Sequence, residues 1–143
     1  MIRRGYIPAA RRQQVLQEAR HRCGYCLAPQ DFSHIPLEIE HIIPPGAGGT
    51  DAADNLWVAC SACNAYKGDR THARDPQQGR IVRLFNPRRQ KWSRHFRWDA
   101  TSTLIIGLTA CGRATVEALR LNNEFARRAR ERWVQGGWFP PQE

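Results

Sequence analysis

Residues 37–68 of the chain are LEIEHIIPPGAGGTDAADNLWVACSACNAYKG. At its start, residues 37–43 alternate apolar side chains with acidic ones, which predicts a short strand. Glu40 and His41 lie towards the end of that strand. Because neighbouring strand residues point to opposite faces, these two can share a site only if the strand ends or bulges there.

A loop, a second strand and a helix complete the segment. Residues 44–51, rich in proline and glycine, can continue neither a strand nor a helix. Residues 55–59 predict a second strand, so the two strands are expected to pair as a hairpin with a long loop. From Cys60 the pattern predicts a helix that ends at Gly68.

Four of the five cysteines form two Cys-x-x-Cys pairs, Cys23 with Cys26 and Cys60 with Cys63. In a chain without an export signal the thiols are expected to be reduced, which favours metal binding over disulfides. Two such pairs are the usual way to present four thiolates to one tetrahedral Zn²⁺. Cys111 lies outside this set and is expected to be a small buried residue.

Helices are predicted on both sides of the zinc ligands. An amphipathic helix over residues 8–22 leads into the first cysteine pair. In the helix that begins at the second pair, two cysteines and two polar residues occupy positions i, i+3, i+4 and i+7, which places all four along one face. These are Cys60, Cys63, Asn64 and Lys67.

The chain has 143 residues and a net charge of +9, with 22 lysines and arginines. An excess of positive charge recruits polyanions, so nucleic acid is the expected partner. Most of the excess lies in residues 80–143, which carry thirteen basic residues against five acidic ones. The alternative is a solvated, arginine-rich surface without a nucleic-acid partner.

No segment is long and apolar enough to predict a transmembrane helix. The first residues, MIRRGYIPAARR, have arginines but no apolar stretch behind them, which argues against a secretory signal. A cytoplasmic location without membrane contact is therefore expected.

The second half of the sequence has a different pattern. Residues 91–98 and 103–108 predict a β-hairpin, and helices are predicted over 111–121 and 123–135. In the last helix Phe125, Ala129 and Trp133 form an apolar stripe, while the arginines mostly face elsewhere. We expect residues 1–76 to form one domain and residues 77–143 to form an extension that packs on it as one compact unit.

Residues 23–69 resemble the HNH endonuclease family, whose core is a two-stranded hairpin packed on one helix around a divalent ion. The matching motifs are CGYC at 23–26, LEIEHIIP at 37–44, GGTD at 48–51, DNL at 54–56 and CSACNAYKG at 60–68. The resemblance implies an α+β fold with a ββα-metal core, an N-terminal helix and a structural zinc, followed by a β-hairpin and C-terminal helices. The implied activity is metal-dependent hydrolysis of DNA phosphodiester bonds.

The resemblance also implies roles for individual residues. His41 would be the general base, because a neutral imidazole accepts a proton near pH 7; its alternatives are a zinc ligand or a packed strand residue. Glu40 and Asn64 would hold a catalytic Mg²⁺ or Mn²⁺ through oxygen atoms, or be a solvated carboxylate and an ordinary helix residue. Asn55 would fix the loop, and so His41, by hydrogen bonds, or be a plain turn asparagine. His72 follows the helix closely, but we do not expect it to reach the metal.

We expect contacts to nucleic acid at two places. One is the C-terminal end of the helix that starts at Cys60, and the other is the basic stretch 88–98, in which aromatic residues alternate with arginines and a lysine. The alternative for the hairpin is that its aromatic rings pack inward. The alternative for Lys67 is an ordinary solvated lysine at the end of a helix. The expected partner is duplex DNA, with a monomer and a homodimer both left open. The predicted contact residues are Lys67, Arg88, Arg89, Lys91, Arg94 and Arg97.

Two rival functions remain. A zinc-ribbon-like module that binds nucleic acid without cutting it would explain the two cysteine pairs and the net positive charge. It would not explain the positions of Glu40, His41, Asn55 and Asn64. A protein-interaction domain, with the tail at residues 138–141 docking a partner, would require the whole motif to be accidental.

Overall fold

A computed structural model describes residues 7–32 and 35–141 of the chain. The chain divides into two compact units, which are described separately below. The first unit comprises residues 1–71 and 86–88, and the second comprises 72–85 and 89–143. The domain boundary at residue 76 stays a prediction. Packing of the two as one compact unit stays a prediction.

In its described residues, the first unit contains two α-helices and one β-hairpin. The strands pair antiparallel, with Glu40 opposite Trp57 and His41 opposite Leu56. The fold class predicted from the sequence, a mixed α+β fold with a hairpin followed by a helix, is confirmed. The elements are α1 (Ala9–Glu18), β1 (Glu38–His41), β2 (Leu56–Ala59) and α2 (Ser61–Lys67).

The core of the first unit lies between α1 and the hairpin. Val15 of α1 and Leu56 of β2 are fully buried, and Val58 follows on the same face of the strand. Ile7 and Ala19 close the cluster at the two ends of α1. Burial of these side chains holds the hairpin in place and thereby positions the residues at its end.

Two helices end where the backbone becomes left-handed. α1 ends at Glu18, earlier than the predicted residue 22, because Arg20 and His21 adopt positive φ angles of 55° and 56°. α2 ends before Gly68, whose φ of 56° is readily adopted by glycine. The predicted end of this second helix is therefore in the right place.

As far as residue 141, where the described part of the chain ends, the second unit has two further antiparallel strand pairs and three α-helices. β3 pairs with β4, and β5 pairs with β6. Its buried apolar residues include Phe85, Phe96 and Ile105. The elements are β3 (His72–Arg74), β4 (Ile81–Arg83), α3 (Trp92–His95), β5 (Phe96–Trp98), β6 (Ile105–Gly107), α4 (Ala110–Ala118) and α5 (Glu124–Gln135).

The predicted strand over residues 91–98 is only half correct. Its second half is β5, but Trp92–His95 forms the helical turn α3. This turn brings the rings of Trp92 and Phe96 within 5.1 Å of each other. The centroids of the Trp92 and Trp98 rings are 5.3 Å apart. The aromatic rings of this segment therefore pack on one another, as the inward-packing alternative expected.

The predicted apolar stripe of α5 is wrong at Phe125, and Arg130 is an exception to the prediction that the arginines mostly face elsewhere. Phe125 is 77% exposed, whereas Arg130 is buried. The Arg130 guanidinium donates to the carbonyl oxygen atoms of Thr103 and Leu121 and lies over the Trp98 ring. Because these acceptors replace water as hydrogen-bond partners, Arg130 can be buried. The side of α5 that faces inward is therefore the side of Arg130, and Phe125 lies on the exposed side.

No helix within the described part of the chain is long and apolar enough to cross a membrane.

Candidate active site

The four predicted zinc ligands come together in the first unit. The Sγ atoms of Cys23, Cys26, Cys60 and Cys63 all lie within 4.8 Å of one another, and those of Cys26 and Cys60 are 3.8 Å apart. A tetrahedral Zn²⁺ with Zn–S bonds of about 2.3 Å needs sulfur atoms about 3.8 Å apart. The cluster therefore fits one zinc ion, and four thiolates would leave that ion no open position for a substrate.

A backbone hydrogen bond ties the first cysteine pair to the hairpin, and the second pair begins α2. The amide of Gly24, between the first two cysteines, donates to the carbonyl oxygen of Val58 in β2 at 2.9 Å. Cys60 caps α2, because its sulfur accepts a hydrogen bond from the amide of Cys63. A zinc ion held here would join the segment after α1 to the start of α2, with β2 between them.

His41 is the last residue of β1, and its imidazole faces the long loop of the hairpin. Its Nε2 atom lies 2.7 Å from Oδ1 of Asp51. The side chains of His41 and Asp51 are 23% and 34% exposed, so the imidazole is accessible to water. Since His41 bonds a carboxylate and lies outside the cysteine cluster, the zinc-ligand alternative for it is not supported.

Asn55 spans the base of the same loop. Its Nδ2 donates to the carbonyl oxygen atoms of Ile43 at 2.9 Å and Thr50 at 2.8 Å. Its Oδ1 accepts from the Ile43 amide at 2.8 Å. Three bonds from one side chain join the two sides of the loop, and a turn asparagine bonded only to its own turn would not do this.

Gly49 allows the two sides of the loop to approach. A Cβ atom at this position would lie 1.6 Å from the carbonyl oxygen of Ile43 and 2.9 Å from Nδ2 of Asn55. Any side chain would therefore force the loop apart at the point where Asn55 closes it.

Glu40 is buried, and both of its carboxylate oxygen atoms have partners. Oε1 lies 2.5 Å from Nζ of Lys67, and Oε2 accepts from the Tyr25 hydroxyl at 2.7 Å. Burial raises the pKa of the Glu40 carboxyl, and the Lys67 ammonium and the Tyr25 hydroxyl offset part of that rise. Burial, followed by the Glu40 charge, also raises the pKa of Tyr25.

The prediction that Lys67 contacts a phosphate is wrong for this structure. The side chain is 2% exposed, and its ammonium donates to the carbonyl oxygen atoms of His41 at 3.1 Å and Ile42 at 3.0 Å as well as bonding Glu40. All three acceptors belong to the end of β1 and the residue after it. Lys67 therefore ties α2 to the strand that carries His41.

Asn64 lies one turn before Lys67 on α2 and contacts the other acidic residue of β1. Its Nδ2 donates to Oε1 of Glu38 at 2.8 Å. Glu38 and Glu40 share one face of β1, so α2 packs along that face and His41 points away from it. The side chains of His41, Glu40 and Asn64, which were expected to form one site, thus bond different partners, and Lys67 joins the Glu40 carboxylate to the His41 backbone.

As they lie here, Glu40 and Asn64 do not fit a catalytic divalent ion. A cation at Glu40 would meet the Lys67 ammonium, which already occupies one carboxylate oxygen. Within the described residues, the cysteine tetrad is the single group of three or more His, Cys, Asp or Glu side chains close enough to share a metal.

The predicted nucleic-acid contacts in the basic stretch divide into two kinds. Arg88 bonds the Glu18 carboxylate and the Leu56 carbonyl oxygen and lies over the Trp57 ring, so it is a structural residue of the first unit. Its prediction as a contact residue is corrected accordingly. The others are exposed on the second unit: Arg89, Lys91, Arg94 and Arg97.

Sequence reasoning assigned no role to three residues of this region, namely Asp51, Tyr25 and Glu38. Asp51 lies in the quoted GGTD motif, and an acid in a glycine loop before Asn55 was a usable signal. Tyr25 lies between two zinc ligands and is fully buried. The hydrogen bond between Tyr25 and Glu40 depends on the fold of the loop that holds the first two cysteines, and no local sequence pattern predicts that fold.

Residues 23–78 match the family model described as HNH endonuclease. The match contains the cysteine tetrad, the hairpin, its loop and α2. No curated protein matches the chain.

Proposed function

Starting from an HNH endonuclease family domain at residues 23–78, we propose that this protein hydrolyses DNA phosphodiester bonds with His41 as the general base. The observation that carries the proposal is the position of the His41 imidazole. It lies at the end of β1, accessible to water, and its Nε2 is held by Asp51 at 2.7 Å. One ring nitrogen is thereby engaged by the protein, and the other remains to accept a proton.

The proposed reaction uses this arrangement. The imidazole of His41 accepts a proton from a water molecule, the water oxygen forms a bond to phosphorus, and the bond from phosphorus to the leaving oxygen breaks. The leaving oxygen takes a proton from solvent. Asn55 holds the loop that carries Asp51 and thereby supports the orientation of His41.

The resemblance also implies a catalytic Mg²⁺ or Mn²⁺ ion with Glu40 and Asn64 as ligands. Such an ion would supply positive charge to the phosphate oxygen atoms in the transition state. Because Lys67 occupies Glu40 in this structure, the proposed chemistry rests on His41 and its neighbours. A requirement for added Mg²⁺ or Mn²⁺ is part of the proposal, although Glu40 and Asn64, as they lie here, do not form the site of that ion.

The proposed substrate is duplex DNA, bound in part by the exposed basic residues of the second unit. Phosphate contacts of this kind position the duplex without specifying its sequence. We also propose a cytoplasmic location, on the composition of the chain. The proposed contact residues are Arg89, Lys91, Arg94 and Arg97.

A second candidate function is a zinc-ribbon-like module that binds nucleic acid without cutting it. The observation that favours it is the Glu40–Lys67 ion pair, because a structural ion pair needs no catalytic metal. Such a protein would bind DNA and hold zinc but leave DNA intact in every divalent metal.

The test is plasmid nicking by the zinc-loaded protein with Mg²⁺, with Mn²⁺ and with neither. We expect nicking that depends on the added metal and is lost in His41→Ala. His72→Ala is the matched control, since His72 is an exposed histidine of β3 in the second unit and should leave nicking unchanged. DNA binding without nicking by the wild type in any metal would support the binding module instead.

A further inference from the structure

We infer that Asp51 is a positioning residue for the general base: its carboxylate accepts a hydrogen bond from Nε2 of His41 and so fixes Nδ1 as the atom that takes the proton. This inference rests on the proposed role of His41. It assigns to a loop residue a function that the motif comparison with the family did not supply.

The first step concerns the two side chains. A neutral imidazole carries its proton on one ring nitrogen only, and an ionised carboxylate can only accept hydrogen bonds. With Nε2 and Oδ1 2.7 Å apart, the proton of a neutral His41 must lie on Nε2. The lone pair then lies on Nδ1, on the opposite side of the ring from Asp51.

The second step concerns what holds Asp51 in place. On its N-terminal side, the carbonyl oxygen of Thr50 accepts from Asn55 at 2.8 Å. Its own carbonyl oxygen accepts from Nη1 of Arg11 in α1 at 3.1 Å. The backbone of Asp51 is therefore bonded on both sides, to the strand end and to α1, so its side chain is presented to His41 from a fixed loop.

The third step concerns the rest of the loop, which is arranged around this contact. Gly49 lets the chain pass against Ile43, and Asn55 bonds both Ile43 and Thr50. Asp51 lies just past the closed base of the loop, where it reaches back to the strand end. Among the described residues, the Asp51 carboxylate has no hydrogen-bond partner other than His41.

The test uses the full-length, zinc-loaded protein and the substitutions Asp51→Asn and Asp51→Glu. The amide group of asparagine can donate to Nε2 and would favour a proton on Nδ1, which removes the lone pair from the catalytic side. We expect Asp51→Asn to lower kcat for plasmid nicking by about 100-fold, the scale of general base catalysis, with KM unchanged. Asp51→Glu keeps the acceptor and should restore part of the rate.

Asp54→Asn is the matched control. It makes the same acid-to-amide change three residues later, at an exposed position of the same loop. We expect it to keep the wild-type rate. An equal loss of kcat in both variants would mean that the charge of the loop matters and would overturn the specific role of Asp51.

A second readout does not depend on activity. The ¹⁵N spectrum of the imidazole distinguishes the two neutral tautomers, and we expect the proton of His41 on Nε2 in the wild type and on Nδ1 in Asp51→Asn. A proton on Nδ1 in the wild type would overturn the inference, even if the Asp51→Asn protein failed to fold.

The outcomes separate this inference from the proposed function. If His41→Ala nicks DNA as fast as the wild type, His41 is not the base and both proposals fail. If His41→Ala is inactive while Asp51→Asn keeps the wild-type kcat and tautomer, only the role of Asp51 fails.

Discussion

Glu40 is the residue whose surroundings differ most from its expected role. The family resemblance makes it a metal ligand, but the structure buries it against Lys67 and Tyr25. A buried ion pair is costly to break from one side, because the remaining charge is left unpaired in the interior. Glu40 therefore contributes to the packing of α2 on β1, whatever else it does.

Glu40→Gln should lower the free energy of unfolding by about 3 kcal/mol, since it leaves the Lys67 ammonium buried without its counter-charge. Urea denaturation followed by circular dichroism measures this change. Glu38→Gln is the matched control: the same substitution two residues earlier on an exposed side chain should change stability by less than about 0.5 kcal/mol.

Equal, small effects of the two substitutions would show that the Glu40–Lys67 pair does not stabilise the fold. In that case Glu40 would be able to leave Lys67 for a metal at little cost, and its role as a ligand would gain support.

At the residue scale, the sequence alone identified the positions of the site but not all of its contacts. The zinc ligands could be predicted because Cys-x-x-Cys spacing is a local property. The pairing of His41 with Asp51 could not be predicted, because the two residues lie ten positions apart across a loop. The burial of Lys67 also depends on where α2 meets β1, which no helical periodicity reveals.

Among the elements of the first unit, the zinc cluster adds a further link between three pieces that already pack on one another. The first cysteine pair follows α1, the second begins α2, and β2 is bonded between them. The α1–hairpin core is small. Zinc is therefore expected to be a major source of stability for the first unit.

Removing the zinc with a chelator should unfold the first unit, with a loss of roughly 10 kcal/mol of folding free energy. Loss of helical circular dichroism, measured together with zinc content, checks this. Cys60→Ser should bind zinc weakly and show the same loss. The control, Cys111→Ser, lies outside the tetrad and should retain a single zinc ion; a native-like spectrum of the zinc-free protein would contradict this account.

A charged pair in the second unit links β3 to α4. Asp75 is buried and accepts two hydrogen bonds from Arg113, at 2.9 Å each. The Arg113 side chain is the main cause that lowers the pKa of Asp75 from 3.8 to about 2. This pair therefore predicts how the second unit responds to acid.

The pKa of Asp75 is lower in the folded state than in the unfolded chain. Its contribution to the free energy of unfolding is therefore fully present above about pH 4 and is lost as the pH falls towards 2. Tryptophan fluorescence during urea denaturation at a series of pH values measures this loss, since Trp92, Trp98 and Trp133 lie in the second unit. Asp75→Asn should be less stable at pH 7 and show a flatter profile below pH 4. Parallel profiles for the two proteins would exclude Asp75 as the source of acid sensitivity.

The elements of the first unit were more predictable than those of the second. The hairpin and α2 follow from strong alternation, cysteine spacing and a terminal glycine, so both were placed correctly. In the second unit, Trp92–His95 became a helical turn and Arg130 became buried because tertiary contacts outweighed the local pattern. For Arg130, one of those contacts is with Thr103, 27 residues earlier in the sequence.

For the whole molecule, the dominant feature is a net charge of +9 that lies mostly in the second half of the sequence. If exposed basic residues there contact phosphates, DNA affinity must fall steeply with salt, because bound counterions are released. The position of the contacts is testable, since two sets of three basic residues are exposed on different elements of the second unit.

Replacing Lys91, Arg94 and Arg97 together with alanine should weaken DNA binding and reduce the slope of log affinity against log salt by up to about 3. Fluorescence anisotropy with a labelled duplex measures both. The control is the triple alanine variant of Arg127, Arg128 and Arg132 on α5, which removes the same charge. An equal change of slope in both variants would indicate nonspecific attraction to total charge.

The central claim is that the imidazole of His41 takes the proton from the attacking water. The most direct measurement is the single-turnover rate of DNA cleavage in Mg²⁺ by zinc-loaded His41→Ala, with and without added imidazole. We predict a rate about 100-fold or more below the wild type, raised by imidazole in a saturable manner. A wild-type rate in His41→Ala without imidazole would contradict the claim.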